Sequence, residues 1–408
     1  MTPVDPRSTN VANLRESATI AVAGRARALK AAGRSIIDLG SGEPDFDTPQ
    51  FIREAAVEAI ANGATRYTAT EGILPLREAI ADEMNARVAG QQLITPGDIV
   101  VSTGSKQSLF NACFTVFGPG DEVLIPTPGW TSYYEIVGLA RATPVPVFGT
   151  VENGFKVTAA ELESAASERT RGVIINSPSN PTGSVYTREE LGEILALAEE
   201  RGWWVISDEI YRHLTYGLGG SAASVLEVAS SRDRLIVVDG VAKAYAMTGW
   251  RIGWTAAPHA VTVTMKALQS HITSNPAAPS QYAALAALIR KEEAAAAIER
   301  MRSAFEQRRN AALALFRELP EVSVIQPDGA FYLYIHAGNA VDPEEDDPGL
   351  AFSRRLLDDS GVAVVPGSAF GTPDWIRMSY ATRLEDAVEG ARRICSLLEV
   401  ARQAARVA

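Results

Sequence analysis

Apolar positions along the chain switch between two periods, and that switching predicts most of its elements. Short apolar runs predict buried strands at 99–102, 122–125, 143–147, 172–176, 203–207 and 235–238, with another opening at Ile252. Between them the spacing turns helical over 50–61, 76–88, 107–117, 133–140 and 188–201. Strands separated by helices predict an α/β fold with a mainly parallel sheet covered on both faces. Before this core lie an N-terminal arm up to about residue 17, a helix at 17–32 and a short strand at 36–39. One long Ala-rich helix is predicted over 279–319, joining two domains. After Pro320 the pattern changes to short strands (322–325, 331–335, 362–365, 376–380) and helices (350–359, 384–402), which suits a smaller α/β domain.

Composition narrows the function. Of 408 residues, 46% are hydrophobic and 21% charged, which suits a soluble globular enzyme with a full core. A net charge of −11 argues against nucleic acid and anionic membrane as partners. No apolar run approaches a membrane span, and the polar N-terminus, with two prolines, does not read as a signal peptide. Cys113 and Cys395 sit in apolar helical patterns and read as reduced core thiols, which points to the cytoplasm. His213, His259, His271 and His336 have no ligand spacing, so no metal is expected.

The candidate chemistry lies where strands end, the place where open α/β sheets gather ligands. Lys243 follows the 235–238 strand among small residues (Gly240, Ala242, Ala244). Desolvation there would lower its pKa and make the amine nucleophilic. Arg251, between Gly249 and Gly253, can grip a phosphate. The turn Gly104-Ser105-Lys106 between a strand and a helix start offers an anion site, although neither the P-loop spacing nor GxGxxG is present. Trp130 offers a flat aromatic face, Asp208 a carboxylate for a pyridinium nitrogen, and Asn180 and Tyr211 donors for a phenolate oxygen. Together these types suit pyridoxal phosphate. Taken singly, each has an ordinary reading: a half-buried aromatic for Trp130, a helix cap for Asp208, a turn for Asn180-Pro181.

With SGEPDFDTP, NSPSNPTG, SDEIY, AKAYAMTGWRIG and the late Arg377 in this order and spacing, the chain resembles the fold-type I, pyridoxal-phosphate-dependent class I aminotransferases. It is most similar to the bacterial aspartate aminotransferase branch that also includes prephenate aminotransferases, from about Ser17 to Glu399. The resemblance implies a large domain with a seven-stranded, mainly parallel mixed sheet flanked by helices. It also implies a smaller α/β domain built from both chain ends, and a homodimer with shared active sites. The expected division is 1–46 (arm and part of the small domain), 47–300 (large cofactor-binding domain) and 301–408 (C-terminal small domain, with the long linking helix at its start).

The resemblance also implies roles. Lys243 is the Schiff-base lysine and proton shuttle, Asp208 the partner of the ring nitrogen, and Tyr211 and Asn180 the ring-oxygen donors. Trp130 is the stacking aromatic; Arg251 with Gly104, Ser105 and Lys106 forms the phosphate cup; Tyr67 reaches the partner subunit's phosphate. Arg377, the Gly42 backbone and Asn180 take the substrate α-carboxylate, with Trp130 beside them. Lys106 and Thr19 take the distal carboxylate of an acidic substrate, or Lys106 lends charge to the phosphate or faces solvent. The expected activity moves an amino group between aspartate or glutamate and a 2-oxo acid (oxaloacetate, 2-oxoglutarate or prephenate). Aromatic or other donors, β-elimination or decarboxylation on the same fold, and a non-catalytic cofactor-sensing regulator remain as alternatives. Two departures stand out. The hydroxyls that many relatives carry just before, or three residues before, the lysine are replaced by Ala242 and Gly240. The cross-dimer arginine of enteric-type enzymes is absent near Ser270.

Overall fold

The computed structural model describes the backbone of residues 8, 11, 14, 18–88, 93–341 and 345–407, and their side chains except at 18–20, 23, 339 and 401–407. Most of the N-terminal arm therefore lies outside the described residues.

In chain order the strands are β1 (Ile37–Asp38), β2 (Ile99–Thr103), β3 (Glu122–Thr127), β4 (Thr143–Phe148), β5 (Thr170–Asn176), β6 (Trp204–Asp208), β7 (Leu235–Gly240), β8 (Ile252–Ala256), β9 (Val324–Ile325), β10 (Tyr332–His336), β11 (Val362–Ala363), β12 (Val365–Pro366) and β13 (Trp375–Ser379). The helices are α1 (Ala18–Ala31), α2 (Gln50–Ala61), α3 (Leu74–Asn85), α4 (Ser105–Val116), α5 (Thr131–Leu139), α6 (Ala159–Ala165), α7 (Arg188–Arg201), α8 (His259–Ser270), α9 (Ala278–Ile289), α10 (Lys291–Phe316), α11 (Pro348–Ser360) and α12 (Leu384–Val407).

Seven strands form one sheet in the order β2-β8-β7-β6-β5-β3-β4, and only β8 runs against the rest. Side chains alternate between its faces, as the two-residue period of a strand requires. Val173, Ile175, Val205 and Val237 pack with Ile52, Leu76, Leu191 and Ala284 on one side. Ile174, Ile206, Ile236 and Val238 pack with Leu109, Cys113, Ile136 and Met265 on the other. Two buried faces explain why these strands read as unbroken apolar runs.

A second layer follows. Strands β12-β13-β10-β9 form an antiparallel sheet, while β1, near the chain's start, pairs in parallel with β11, near its end. Leu39 therefore shares a core with Phe305, Phe331, Ile376 and Ile394.

Three expectations are corrected. The single helix over 279–319 is two helices, because Arg290 (φ −88°, ψ 64°) leaves helical geometry between α9 and α10. The strand expected at 362–365 divides between two sheets, β11 in one and β12 in the other. Helices α6 and α8 went unpredicted, although Thr158 and Glu161 form a capping box at the start of α6, a signal that can be read from sequence.

Candidate active site

The carboxyl ends of β5, β6 and β7, the start of α4 and the loop after β1 converge on a cavity of about 350 Å³, within the range of small-molecule sites. It is lined by Gly42, Ser105, Lys106, Trp130, Asn180, Asp208, Tyr211, Lys243, Arg251 and Arg377, among others. Ten candidates scattered over more than 300 positions of sequence thus meet around one space.

Asp208 is the last residue of β6 rather than the residue after it, and is buried. Tyr133 Oη donates to its Oδ2 at 2.7 Å, and the Ile210 amide donates to its Oδ1 at 3.2 Å. Burial nevertheless outweighs these bonds and pushes the carboxyl up to about 6. Among the described residues no cation forms an ion pair with it.

Arg377, on β13, is only 1% exposed and carries the opposite charge. Its Nη1 donates to Asn180 Oδ1 and its Nη2 to the Gly40 carbonyl, both at 2.9 Å. The guanidinium lies over the Tyr332 ring, 4.3 Å from its centroid, and its buried Nε has no hydrogen-bond partner among the described atoms. No carboxylate pairs with it among the described residues. Because the Asn180 oxygen is held by Arg377, the side-chain amide NH₂ is the group left to donate into the cavity.

Lys243 stands between these two charges. Its Nζ donates to the Gly42 carbonyl and lies 5.7 Å from the centre of the Tyr211 ring. Burial lowers its pKa to about 8, Glu43 opposes that shift, and Arg377 and Arg251 add to it. Tyr211 Oη shares a hydrogen bond of 2.8 Å with Tyr332 Oη.

The anion end is built on backbone. Gly104 (φ +80°) opens α4, and a Cβ there would meet Arg251 Nη2 at 2.6 Å. Gly253 lets β8 approach the same turn, since its Cβ would meet the Ser105 nitrogen at 2.3 Å. Arg251 takes a left-handed conformation (φ +55°) and donates from Nη1 to the Thr248 carbonyl at 2.8 Å. A side chain at Gly240 would come to 2.6 Å from Ser105 Oγ, so the hydroxyl in this region is Ser105's, and it donates to the Asp239 carbonyl. Lys106 lines the cavity with Nζ 4.8 Å from the Trp130 ring centre, and burial, then Arg251, lowers its pKa.

Of the expected residues outside this lining, Gly104 belongs to the turn just described. Tyr67 is 90% exposed and does not line the cavity of its own chain. The Thr19 side chain lies outside the described residues. Conversely, sequence reasoning missed Tyr133, Tyr332 and Glu43. Tyr133 falls three residues after Trp130, in the first turn of α5, a readable sign. Tyr332 carries no local sign, because only pairing of β10 with β13 brings it under Arg377.

The donor set fits pyridoxal phosphate. A buried carboxylate without a cation suits a ring nitrogen that gains a proton, the glycine-cleared helix start with Arg251 suits a phosphate, and Lys243 suits an aldehyde.

Comparison with known proteins agrees with this geometry. The sequence profile of the family described as aminotransferase class I and II matches residues 34–394. The chain is 43% identical over 400 residues to an aspartate aminotransferase of Streptomyces avermitilis, covering 97% of each chain. It is also 43% identical to an aspartate/prephenate aminotransferase of Cereibacter sphaeroides, covering 95% of this chain and 97% of that one. Among solved structures, aspartate aminotransferase from Thermus thermophilus with maleate superposes with a TM-score of 0.90 at 37% identity, covering 97% of this chain and all of that one.

Proposed function

The chain belongs to the aminotransferase class I and II family, and on that premise we propose that it moves the amino group of aspartate or glutamate to a 2-oxo acid with the help of pyridoxal phosphate. One observation carries this reading. Two buried and opposite charges, Asp208 and Arg377, face one cavity, and neither has an ionic partner among the described residues. Unpaired buried charge is costly, so the site is completed by ligands that bring a cation to Asp208 and an anion to Arg377.

The cofactor, when bound, supplies the electron sink that stabilises a carbanion at the substrate's Cα. Asp208 holds a proton on the ring nitrogen. Asn180 and Tyr211 donate to the ring oxygen, and Trp130 covers a ring face. Gly104, Ser105, Lys106 and Arg251 hold the phosphate. Lys243 would hold the cofactor through its Nζ and, once freed, that amine would take the proton from the substrate's Cα and deliver it to the cofactor carbon that receives the amino group. Arg377 and Asn180 orient the α-carboxylate, and the Gly42 carbonyl holds the lysine amine. Oxaloacetate and 2-oxoglutarate are the acceptors that match these donors. Prephenate is a further acceptor in our reading, supported by the Cereibacter relative's name.

We read the working unit as a cytoplasmic homodimer in which Tyr67 serves the neighbour's phosphate. The large domain spans about 47–300, and the small domain is drawn from 1–46 and 301–408. No helix among the described residues is long and apolar enough to cross a membrane.

The test is capture of pyridoxal phosphate by the ligand-free chain across pH. Only the uncharged amine attacks an aldehyde, and the Lys243 pKa is lowered to about 8. Capture should therefore be fast above about pH 8 and slow as pH falls below it. Lys243→Ala should lose both the capture absorbance and the conversion of aspartate to its 2-oxo acid. Full transamination by that variant would refute the assignment.

A further inference from the structure

Residues 40–48 form a strap across the site. Gly40 accepts from Arg377 Nη2 and Gly42 accepts from Lys243 Nζ, so two carbonyls two residues apart hold two of the four cationic side chains that line the cavity. The strap is tied to the large sheet's side by Thr48, whose Oγ1 donates to the Ala246 carbonyl at 2.6 Å and accepts from Trp250 Nε1 at 3.0 Å. Thr248 Oγ1 donates to Glu43 Oε2 at 2.8 Å. A separate anchor reaches α10: Arg308 Nη1 donates to Asp45 Oδ1 at 2.6 Å. The two side chains are only 11% and 25% exposed. The Arg308 guanidinium lies 5.1 Å from the Phe46 ring centre and 5.4 Å from that of Phe305, and the two rings meet edge to face at 5.5 Å.

We infer that the Asp45–Arg308 pair positions Lys243 and Arg377 by fixing the strap whose carbonyls hold both. The pair touches neither cavity nor ligand, so both are positioning residues. A partly buried ion pair clasped by two aromatic rings has one favoured geometry, unlike a surface pair free to exchange partners. Without it, the strap keeps its ties at Thr48 and Glu43 but loses its ion pair to the helix that carries Phe305 and Arg308. The Gly40 and Gly42 carbonyls then drift. Arg377 loses a fixed acceptor and its aim at the α-carboxylate. Lys243 loses the acceptor that favours its charged form. Because α10 also packs on α12, the same pair joins the site to the second layer of the fold.

This inference rests on the assignment of Lys243 and Arg377 made above. Asp45→Asn and Arg308→Gln, singly and together, test it. Arg308→Lys serves as a milder companion that keeps the charge and loses the flat guanidinium beside the Phe46 and Phe305 rings. The readouts are KM and kcat for aspartate, the Kd of maleate (an unreactive dicarboxylate), and the pH midpoint of pyridoxal phosphate capture by the ligand-free chain. Each single variant should raise KM and the maleate Kd roughly tenfold while kcat falls much less. The capture midpoint should move to lower pH. The double variant should be no worse than either single one, because both remove one contact. Unchanged KM, Kd and midpoint in a variant that melts like the parent would overturn the inference. So would losses that multiply in the double variant. Lys243→Ala separates the two readings. If it still captures cofactor, the site assignment fails; if it does not and the strap variants behave as the parent, only the strap role fails.

Discussion

Lys106 shows how much one side chain can mean at a site of this kind. Its backbone belongs to the turn that opens α4, yet its Nζ reaches over the Trp130 ring and it lines the cavity. Burial first, and then the neighbouring Arg251 charge, make the ammonium costly there, so an anion at this end of the cavity would be welcome. We assign it to the distal carboxylate of an acidic donor. Losing one charge-assisted contact should lower kcat/KM for aspartate by about tenfold to a hundredfold in Lys106→Ala, while alanine is affected much less. Half-reactions with the two donors decide the matter, since equal losses would make Lys106 a phosphate residue only. Tyr133 is the complementary lesson. Its hydroxyl is the direct side-chain donor to Asp208, and its place three residues after Trp130 is the only hint of that in the sequence.

At the scale of elements, the anion end depends on how closely β8 can approach the start of α4. Gly253 is the contact point, because a methyl there would press on the Ser105 nitrogen at 2.3 Å and the Gly104 carbonyl carbon at 2.7 Å. Both obstacles are backbone, so neither can swing aside. Gly253→Ala should therefore weaken pyridoxal phosphate binding by at least about tenfold and destabilise the fold by roughly 1–3 kcal/mol. Gly249, four residues earlier, has open space around the same added atom and is the control. A fluorescence titration and a thermal melt on both variants check this; a Gly253→Ala protein that binds like the Gly249→Ala one would refute it. Elements also explain the mistaken long helix. Residues 278–316 are alanine-rich on both sides of Arg290, and helix propensity cannot reveal a break that arises where α9 packs on α2 and α3 while α10 turns toward α12.

For the whole molecule, the proposed dimer would seat a second copy on exposed apolar side chains. Val57 and Ile60 on α2, Tyr282 and Ile289 on α9, and Leu74 on α3 are exposed on helices that pack against one another, and the exposed Tyr67 lies in the connection between α2 and α3. Large apolar side chains left exposed on neighbouring helices are what an interaction face requires. If Tyr67 serves the neighbour, Tyr67→Ala and Lys243→Ala chains should each be impaired, yet their mixture should recover activity. Refolded together, about half the dimers are mixed, and each mixed dimer holds one intact site of two, so recovery should approach about a quarter of the parental rate. Activity in the mixture no higher than in the better parent would rule out the shared site.

The alternation of apolar periods determined the α/β class, nearly every strand of the large sheet and the exact bounds of α2 and α7, because burial on both sheet faces leaves a local record in the residues themselves. The short motifs likewise singled out residues that the fold gathers around one cavity, since a lysine among small residues or an arginine beside glycines is legible without neighbours. The tertiary structure alone decided what depends on distant pairing. It set Tyr332 beneath Arg377 through β10 and β13, and the Gly40–Arg377 and Asp45–Arg308 contacts across more than 250 residues. It also decided that, among the described residues, Asp208 and Arg377 have no ionic partner. Charge compensation is a property of three-dimensional surroundings, and no periodicity along a chain encodes which side chains will come within a few ångströms of one another.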